Sequence, residues 1–415
     1  MNRRTMIAQG IAQGSVALLS ACATGGATRA PKASTSANDT FWTDRLPQLM
    51  EYASVPGVAV AMVEGGAVAW ARGFGVRAAG GSDPIAEDTV FEAASLGKPV
   101  FAYAVLRMRD EGLIDLDRPL GAYLPAPYLP DEPKAAAITA RHVLSHSSGF
   151  RNWRNGPTDR LTVDFTPGER FSYSGEGYFY LQRVVEQVAG RAFPRYVRER
   201  VLEPLGMRSS SYVWLPELDA RMAAPHSSRG QPRESFHARL AKRMAAQAPA
   251  ERVDTAAGAR VPLLDWRYDE VAAMMPKADP NLPVLPNYMI PNAAGSLLTT
   301  AGDYARFVTH VVDGGARGAT DLAEGTRREM LSPQIRLNSA LAWGLGWGLE
   351  REGGAGAPTS FWHWGDNGNY KNFVLGDAAA RRAVAIFTNG AGGLKVAERI
   401  VNHVTGREHP AFVWV

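Results

Sequence analysis

Cysteine is nearly absent from this chain of 415 residues, which contains Cys22 and no other. A single cysteine excludes an intrachain disulfide bond and any metal cluster built on cysteine ligands. Lysine is also scarce, since it supplies only seven of the 45 basic residues. The formal net charge is +4 and the basic residues are scattered along the chain, so nucleic-acid binding is not expected. No motif in the sequence predicts a metal or a cofactor.

The first 21 residues are typical of an export signal. Arg3 and Arg4 precede an apolar stretch that is too short and too weakly apolar to span a membrane. We predict a signal peptide over residues 1–21 and a flexible tether over residues 22–39. The tether is rich in Ala, Gly, Ser and Thr and has no apolar period.

The leader ends in Leu19-Ser20-Ala21-Cys22, which resembles the processing box of bacterial lipoproteins. In such a box the cysteine is lipidated and becomes the mature N-terminus. The resemblance implies lipidation of Cys22 and an exported lipoprotein that is anchored to the membrane and faces the periplasm. A plain signal peptide with a coincidental cysteine is the alternative, and the paired arginines leave a twin-arginine export route open.

Hydrophobic patterning after residue 39 predicts one α/β domain over residues 40–415. Strand patterns occur near both ends of this domain and helical patterns lie between them. This order predicts an α/β lobe of about residues 40–110 and 295–415, with a mostly helical lobe of about residues 111–294 inserted in it. A cleft between two such lobes is a common place for an active site.

Apolar spacing and turn residues predict several individual elements. A hairpin is expected between Val58 and Phe74, and a hairpin turn at residues 377–381. Helices are expected over residues 178–188, 236–247, 303–312 and 394–404, and late strands over residues 342–349, 359–364, 372–375 and 383–388.

The first chemical motif is Ser95-Leu96-Gly97-Lys98. Apolar residues follow it at helical spacing, so Ser95 is predicted at a helix N-terminus, where backbone N–H groups favour developing negative charge. Residues i and i+3 share a helix face, so the Lys98 amine can approach the Ser95 hydroxyl. A partly desolvated lysine has a lowered pKa and can accept a proton. Alone, the pattern also fits a helix cap beside an ordinary lysine.

Two later motifs add possible partners. Turn residues flank Tyr173 and place it on a loop before a helix, and a phenol near an ammonium can be stabilised as a phenolate that relays protons. Asp366 follows His363-Trp364-Gly365 on a late strand. The glycine allows a substrate backbone to approach, and the next N–H can help to bind an oxyanion. Taken singly, a loop tyrosine is a surface anchor and a strand histidine between two tryptophans is a packed core residue.

In this order, Ser95-x-x-Lys98, Tyr173-Ser174 and His363-Trp364-Gly365 resemble the motifs of the class C β-lactamase and penicillin-binding-protein-like serine hydrolases. That family also contains carboxylesterases and D-amino peptidases. The resemblance extends from Trp42 to Thr405 and is weakest over residues 216–291. It implies the β-lactamase/DD-peptidase fold, in which an antiparallel sheet built from both termini is flanked by helices and carries an inserted, mostly helical lobe.

The resemblance also implies a role for each motif residue. Ser95 would be the acylated nucleophile, and Lys98 and Tyr173 would share the proton transfers. The backbone N–H groups of Ser95 and Asp366 would form the oxyanion hole. The substrate site would be lined by Gly175, His363, Trp364 and Gly365, whereas His142 and His146 would be structural.

Two positions depart from the pattern of β-lactamases. Gly175 stands where Tyr-x-Asn places an asparagine, and His363 replaces the lysine of Lys-Thr-Gly with a side chain that is mostly neutral. Both changes weaken recognition of an acylamino β-lactam and leave acyl transfer intact. The sequence leaves open whether Asn152, Asn155 or Asn292 compensates for Gly175.

We therefore expect a serine hydrolase that acts through an acyl-enzyme on small esters or amides, and foremost a carboxylesterase-like enzyme. A β-lactamase or a D-amino peptidase acting on peptidoglycan-related substrates is the alternative, and an inactive cell-envelope binding lipoprotein is a second one. The chain lacks G-x-S-x-G, H-E-x-x-H, S-D-N and K-T-G. These absences disfavour an α/β-hydrolase, a zinc protease and a class A β-lactamase.

Overall fold

The computed structural model describes residues 34–36, 38–247, 262–313, 321–351 and 359–415. The predicted signal peptide and Cys22 lie outside these ranges. The end of the predicted tether is included, and it packs on the domain: Trp70 Nε1 donates to the Thr35 carbonyl and Trp42 Nε1 donates to the Ser36 carbonyl, both at 2.9 Å. The packed part of the chain therefore begins several residues before position 40, because two indole N–H groups find their acceptors there.

An antiparallel sheet joins the two ends of the chain. In the described ranges it has eight strands in the spatial order β2-β1-β10-β9-β8-β7-β6-β5, while β3 and β4 form a separate pair. The N-terminal strand β1 pairs with the last strand β10 from Val58↔Thr388 to Val63↔Ala383. The predicted sheet built from both termini is confirmed. The strands are β1 (Gly57–Glu64), β2 (Ala67–Gly75), β3 (Phe91–Glu92), β4 (Leu298–Thr299), β5 (Ile335–Arg336), β6 (Leu341–Trp343), β7 (Gly348–Glu350), β8 (Ser360–Asp366), β9 (Lys371–Asp377) and β10 (Arg382–Thr388).

Helices cover both faces of this sheet, and α9 and α11 lie on opposite sides of β10. No helix within the described ranges combines the length and apolarity needed to cross a bilayer. The helices are α1 (Leu46–Tyr52), α2 (Gly97–Asp110), α3 (Ala140–Leu144), α4 (Gly175–Ala189), α5 (Phe193–Val197), α6 (Pro216–Asp219), α7 (Phe236–Ala246), α8 (Tyr268–Ala278), α9 (Ala301–Asp313), α10 (Glu324–Met330), α11 (Gly393–Thr405) and α12 (Ala411–Trp414).

Strand β1 shows why the sheet is covered on both sides. Its side chains alternate between two cores, because successive residues of a strand point to opposite faces. Ala59, Ala61 and Val63 pack in the core shared with α2 and α9, whereas Val58 and Val60 pack in the core shared with α1 and α11. An apolar run without alternation, as in β1, is what a strand buried on both faces requires.

The predicted hairpin, the turn between β9 and β10 and the helices α4, α7, α9 and α11 are confirmed to within a few residues. The strand expected over residues 342–349 is wrong in one respect, because it is two short strands, β6 and β7, joined by a turn. A side chain at Gly344 would overlap the Met330 carbonyl, and Gly346 has a φ of +91°. Two glycines in this apolar run therefore turn the chain instead of extending it.

The segment between α2 and β4 contains helices α3 to α8 and forms the predicted helical insertion. The chain enters it after β3 and α2 and returns through β4, which pairs with β3 from Phe91↔Thr299 to Glu92↔Leu298. Residues on either side of the insertion are thus fixed against each other immediately before Ser95. Segments distant in sequence meet at this junction.

Candidate active site

Ser95 lies in a tight turn between β3 and α2. Residues 91–100 are buried except for Ser95, which is partly exposed within a 3₁₀ turn, Ala94–Leu96. Ala94 has a φ of +52°, a left-handed conformation that is costly for a residue with a side chain. The serine is therefore presented to solvent from a buried and strained stretch of backbone, one turn before α2 as the spacing predicted.

Two buried phenols hold this turn in place. Tyr304 Oη donates to the Leu96 carbonyl at 2.9 Å, and Tyr212 Oη donates to the Gly97 carbonyl at 2.5 Å. Both tyrosines are buried, so each bond satisfies a hydroxyl that would otherwise be costly to desolvate. The start of α2 is thereby fixed relative to α9, which carries Tyr304, and to the segment between α5 and α6, which carries Tyr212.

Lys98 is buried, with 1 % of its surface exposed, and its Nζ lies 3.0 Å from Ser95 Oγ. Nζ also donates to the Ala294 carbonyl at 2.8 Å. Burial lowers the pKa of Lys98 to about 7, because an ammonium loses its hydration there and no carboxylate among the described residues compensates for it. At physiological pH the Lys98 amine is then neutral in a large fraction of the protein molecules, and the neutral amine can accept the Ser95 proton.

The Ala294 carbonyl is an acceptor for the Lys98 amine that sequence reasoning missed. Asn292 Oδ1 accepts a hydrogen bond from the Ala294 N–H at 2.7 Å, which orients this short loop. Gly97 allows the loop to come close, since a Cβ at that position would lie 3.3 Å from the Ala293 carbonyl oxygen. A backbone acceptor has no side-chain signature, so nothing in the sequence marks it.

Tyr173 lies on the loop before α4, as predicted. The Lys98 Nζ lies 4.7 Å from the centroid of the Tyr173 ring, over its face. Burial raises the pKa of Tyr173, and the neighbouring Ser95 hydroxyl acts in the opposite direction. The resting protein therefore carries the neutral phenol, and the expected phenolate is not favoured. Within the described residues the buried Oη completes no hydrogen bond, so it is available to a reacting group.

His146, for which the resemblance implied a structural role, contacts Tyr173 directly. The two rings are 4.1 Å apart, and the Ser174 N–H donates to His146 Nδ1 at 3.0 Å. Burial and the charge of Lys98 keep the pKa of His146 well below its usual value. The neutral ring therefore positions the Tyr173-Ser174 backbone. His142, by contrast, caps the start of α3 through Thr139.

Strand β8 places His363 and Trp364 next to Tyr173. Burial, reinforced by the charge of Lys98, lowers the pKa of His363 to about 3, so its ring is neutral. His363 Nδ1 lies 2.7 Å from the Trp364 carbonyl, which makes Nδ1 the protonated nitrogen. The Trp364 ring lies 4.8 Å from the Tyr173 ring. A neutral histidine cannot replace the charge of a lysine that binds a carboxylate.

Gly365 has a packing role in addition to the predicted approach of substrate, which stays a prediction. A Cβ at this position would overlap the carbonyl oxygen of Ala93, two residues before Ser95. Asn372, on the neighbouring strand β9, donates through Nδ2 to the Glu92 carbonyl at 2.9 Å. These contacts pin the strands that flank Asp366 to the nucleophile segment. Strand β8 therefore runs beside the Ser95 turn, which an oxyanion hole between Ser95 and Asp366 would require.

Gly175 is matched to Trp153, a second residue that sequence reasoning missed. A Cβ at Gly175 would overlap the indole ring of Trp153, so the ring occupies space that a side chain would need. Asn152 Oδ1 accepts from the Gly175 N–H at 2.9 Å and is engaged with the helix backbone. Asn155 and Asn292 hydrogen-bond within their own loops. The Trp153 ring therefore fills the space that a side chain at position 175 would need, and the Asn152 amide oxygen beside it is held by the Gly175 N–H.

A buried ion pair supports the Trp153 loop. Arg154 Nε donates to Glu176 at 2.9 Å, and the Arg154 N–H donates to the same carboxylate at 3.1 Å. The Glu176 side chain is fully buried, so the pair ties the loop firmly to the first turn of α4.

In the described ranges no group of three or more His, Cys, Asp or Glu side chains is placed to hold a metal ion. The arrangement has the parts that acyl transfer to a serine requires.

Comparison with known proteins gives a family match over most of the chain and several similar relatives. The sequence profile of the beta-lactamase family matches residues 42–403. Penicillin-binding protein 4 of Amycolatopsis lactamdurans is 25% identical over 371 residues, which are 84% of each chain. Esterase EstB of Burkholderia gladioli is 33% identical over 192 residues, which are 39% of this chain and 47% of EstB.

Solved structures share the fold at low identity. A β-lactamase/D-alanine carboxypeptidase from Pseudomonas syringae superposes with a TM-score of 0.68 at 14% identity, over 90% of this chain and all of that one. A class C β-lactamase superposes with a TM-score of 0.65 at 15% identity, over 89% of this chain and 97% of that one. At these identities the likeness concerns architecture alone.

Proposed function

The chain belongs to the beta-lactamase family of serine hydrolases, and on that premise we propose that it hydrolyses small esters or amides through an acyl-enzyme on Ser95. The observation that carries the proposal is the 3.0 Å approach of a buried Lys98 amine, with its pKa lowered to about 7, to a partly exposed serine hydroxyl. A structural lysine has no need of this combination, whereas a nucleophile and its base do.

Acylation follows from these groups. The neutral Lys98 amine takes the hydroxyl proton while Ser95 Oγ attacks the substrate carbonyl carbon. The negative charge moves to the carbonyl oxygen, where the N–H groups of Ser95 and Asp366 stabilise it. When the tetrahedral intermediate collapses, the bond to the leaving alcohol or amine breaks, and the proton passes to that group from Lys98 through Tyr173.

Deacylation uses the same groups in reverse. A water molecule loses its proton to the Lys98–Tyr173 pair as its oxygen attacks the acyl carbon. Collapse of the second intermediate returns a proton to Ser95 Oγ and releases the carboxylic acid. Because the Tyr173 phenol is neutral in the resting protein, Lys98 is the primary base and Tyr173 the relay.

The side chains around the nucleophile favour a carboxylesterase-like preference. Gly175 and Trp153 offer an apolar surface where β-lactamases use an asparagine, and the neutral His363 offers no cation for a carboxylate. The similarity to EstB supports the same preference. A D-amino peptidase or β-lactamase activity is the second candidate, which the similarity to penicillin-binding protein 4 over 84% of both chains favours. An inactive binding protein is disfavoured, because Ser95, Lys98 and Tyr173 are all present and adjacent.

The location in the cell is part of the proposal. We propose export as a bacterial lipoprotein that is anchored through Cys22 and acts in the periplasm, on the strength of Leu19-Ser20-Ala21-Cys22. Mass spectrometry of membrane-fractionated protein is expected to show a lipidated Cys22 at the N-terminus. An unmodified soluble form that begins after Cys22 would end this part of the proposal.

Substrate preference is tested with protein that begins after Cys22. A short-chain nitrophenyl ester, a chromogenic cephalosporin and a D-alanyl-D-alanine peptide are compared, with Ser95→Ala as the control. We expect ester turnover that is lost in Ser95→Ala, together with little cephalosporin or peptide hydrolysis. Efficient cephalosporin or peptide turnover would reverse the ranking of the two activities.

A further inference from the structure

Glu92 is a buried carboxylate that the proposed mechanism does not use. It is 4 % exposed and lies on β3, three residues before Ser95. A carboxylate in such a position is costly unless several donors surround it. The donors that surround Glu92 come from two distant parts of the chain.

The first donor belongs to the turn after β8. Asn367 Nδ2 donates to Glu92 Oε2 at 2.8 Å across 275 positions of sequence. Asn367 directly follows Asp366, whose backbone N–H is assigned to the oxyanion hole. The Glu92 side chain thus holds the turn next to Asp366, while its backbone carbonyl holds Asn372 on the return strand.

The other donors belong to the inserted lobe. His237 Nδ1, at the start of α7, lies 3.1 Å from Glu92 Oε2, and the Ser235 hydroxyl contacts Glu92 Oε1. Ser235 also caps α7, since its Oγ accepts from the Ala238 N–H at 2.9 Å. Burial by itself would raise the pKa of Glu92, but His237, Ser235 and Asn367 outweigh it and hold that pKa below its usual value. The group is therefore an ionised acceptor shared by two lobes.

We propose that Glu92 is a positioning residue that locks the Asp366-Asn367 end of β8, through Asn367, in register with the Ser95 turn. The lock sets the direction of the Asp366 N–H relative to Ser95 Oγ. Helix α7 takes part through Ser235 and His237, so the inserted lobe supports the oxyanion hole from outside the substrate site. This inference rests on the proposed acyl-enzyme function and adds the group that aligns its oxyanion hole.

The test replaces the donor on the turn, Asn367→Ala, which leaves Glu92 and its contacts with α7 intact. We measure kcat and KM for the nitrophenyl ester and the rate at which a fluorophosphonate labels Ser95. Loss of an oxyanion donor costs about 10²–10³ in rate, so a misaligned one is expected to lower kcat and the labelling rate by about tenfold or more. KM is expected to stay close to that of the natural protein, because the substrate contacts are retained. The thermal midpoint is expected to fall without loss of the fold, because Glu92 loses one donor and keeps Ser235 and His237.

A second variant and a matched control complete the design. Glu92→Gln is expected to act in the same direction, and the double variant to be no slower than the slower single variant, because both changes open one lock. Asn369→Ala is the control. Asn369 lies on the same turn as Asn367, and a cavity of about 280 Å³ is lined by both of them and by Glu92, but Asn369 makes no hydrogen bond to Glu92. It is expected to keep the natural rates.

The outcomes separate this inference from the proposed function. If the natural protein is not labelled at Ser95, the acyl-enzyme proposal fails and this inference fails with it. If the natural protein is labelled and Asn367→Ala reacts at the same rate, the positioning role of Glu92 is overturned while the proposed function stands. A loss that appears in KM alone, or equally in Asn369→Ala, also overturns it.

Discussion

The amine of Lys98 is buried, where it hydrogen-bonds to a hydroxyl and a carbonyl and lies over the Tyr173 ring. Removal from water makes the neutral form accessible near pH 7, which is what a base for Ser95 needs. The same removal costs folding free energy, because the unfolded chain can keep the ammonium hydrated. Activity and stability should therefore respond to this residue in opposite ways.

The pH dependence of turnover follows from the lowered pKa of Lys98. We expect kcat/KM for the nitrophenyl ester to rise with pH as a single ionisation and to level off above about pH 7, because the neutral amine is the active form. His363, with its pKa lowered to about 3, does not titrate in this range. Initial rates between pH 5 and pH 9 check this, and a rate that is independent of pH across neutrality would contradict it.

Lys98→Met is expected to abolish turnover and to change the pH dependence of stability. In the natural protein the folded-state pKa of Lys98 is below the unfolded value of 10.5, so the penalty for its burial is complete below about pH 7. It shrinks as the pH rises from about 7 towards 10.5. The free energy of unfolding of Lys98→Met relative to the natural protein should therefore be larger at pH 6 than at pH 9, by about 3 kcal/mol.

Denaturant unfolding at the two pH values measures this difference. A relative stability that is equal at both pH values, or that increases towards pH 9, would show that the ammonium is not penalised in the fold.

At the scale of elements, β8 and the nucleophile turn form one unit. Gly365 lies against Ala93, and Asn372 on β9 binds the Glu92 carbonyl, so a shift of β8 would move the Ser95 environment with it. Strand β8 is thus both a central strand of the sheet and a wall of the site. This double role explains why a glycine is needed in the interior of a strand, where it would otherwise weaken packing.

Gly365→Ala tests this coupling. The added methyl group would overlap the Ala93 carbonyl, so we expect a loss of about 1–3 kcal/mol in the free energy of unfolding together with a fall in kcat. Gly325→Ala on α10 is the matched control, because a Cβ there meets nothing within 4 Å, and it should be neutral or slightly stabilising. Equal stability and equal rates in the two variants would refute the coupling.

The elements that the sequence predicted well are those whose pattern is local. The apolar spacing of residues 178–188, 303–312 and 394–404 gave α4, α9 and α11, because one face of each helix packs against a core. The apolar run did not separate β6 from β7, since the close approach of the distant Met330 carbonyl to Gly344 cannot be read from the spacing.

The candidate site divides in the same way. Ser95, Lys98, Tyr173 and the β8 motif carry side-chain chemistry in short motifs, so the sequence was enough to nominate them. Three contributors were missed because their role arises from contacts between distant segments: the Ala294 carbonyl, the Trp153 ring and the Glu92 carboxylate. Glu92, for example, meets Asn367 across 275 positions and no spacing rule predicts that contact.

At the scale of the whole molecule, the topology assembles the site from three parts of the chain. The pairing of β1 with β10 brings the two ends of the domain together in one sheet. The pairing of β3 with β4 brings the chain back from the insertion to the point where it entered. Ser95 is thus contributed before the insertion, Tyr173 within it and His363 after it. Because none of these parts holds the site alone, we expect activity to be lost together with the global fold.

The most direct test of this account is the capture of the acyl-enzyme. The protein is mixed with excess nitrophenyl ester, quenched in acid within the first turnovers, digested and analysed by mass spectrometry, with Ser95→Ala treated in parallel. The account predicts one acyl group on the peptide that contains Ser95 and none in the variant. A natural protein that turns over the ester without an adduct on Ser95, or that carries the acyl group on another residue, would contradict it.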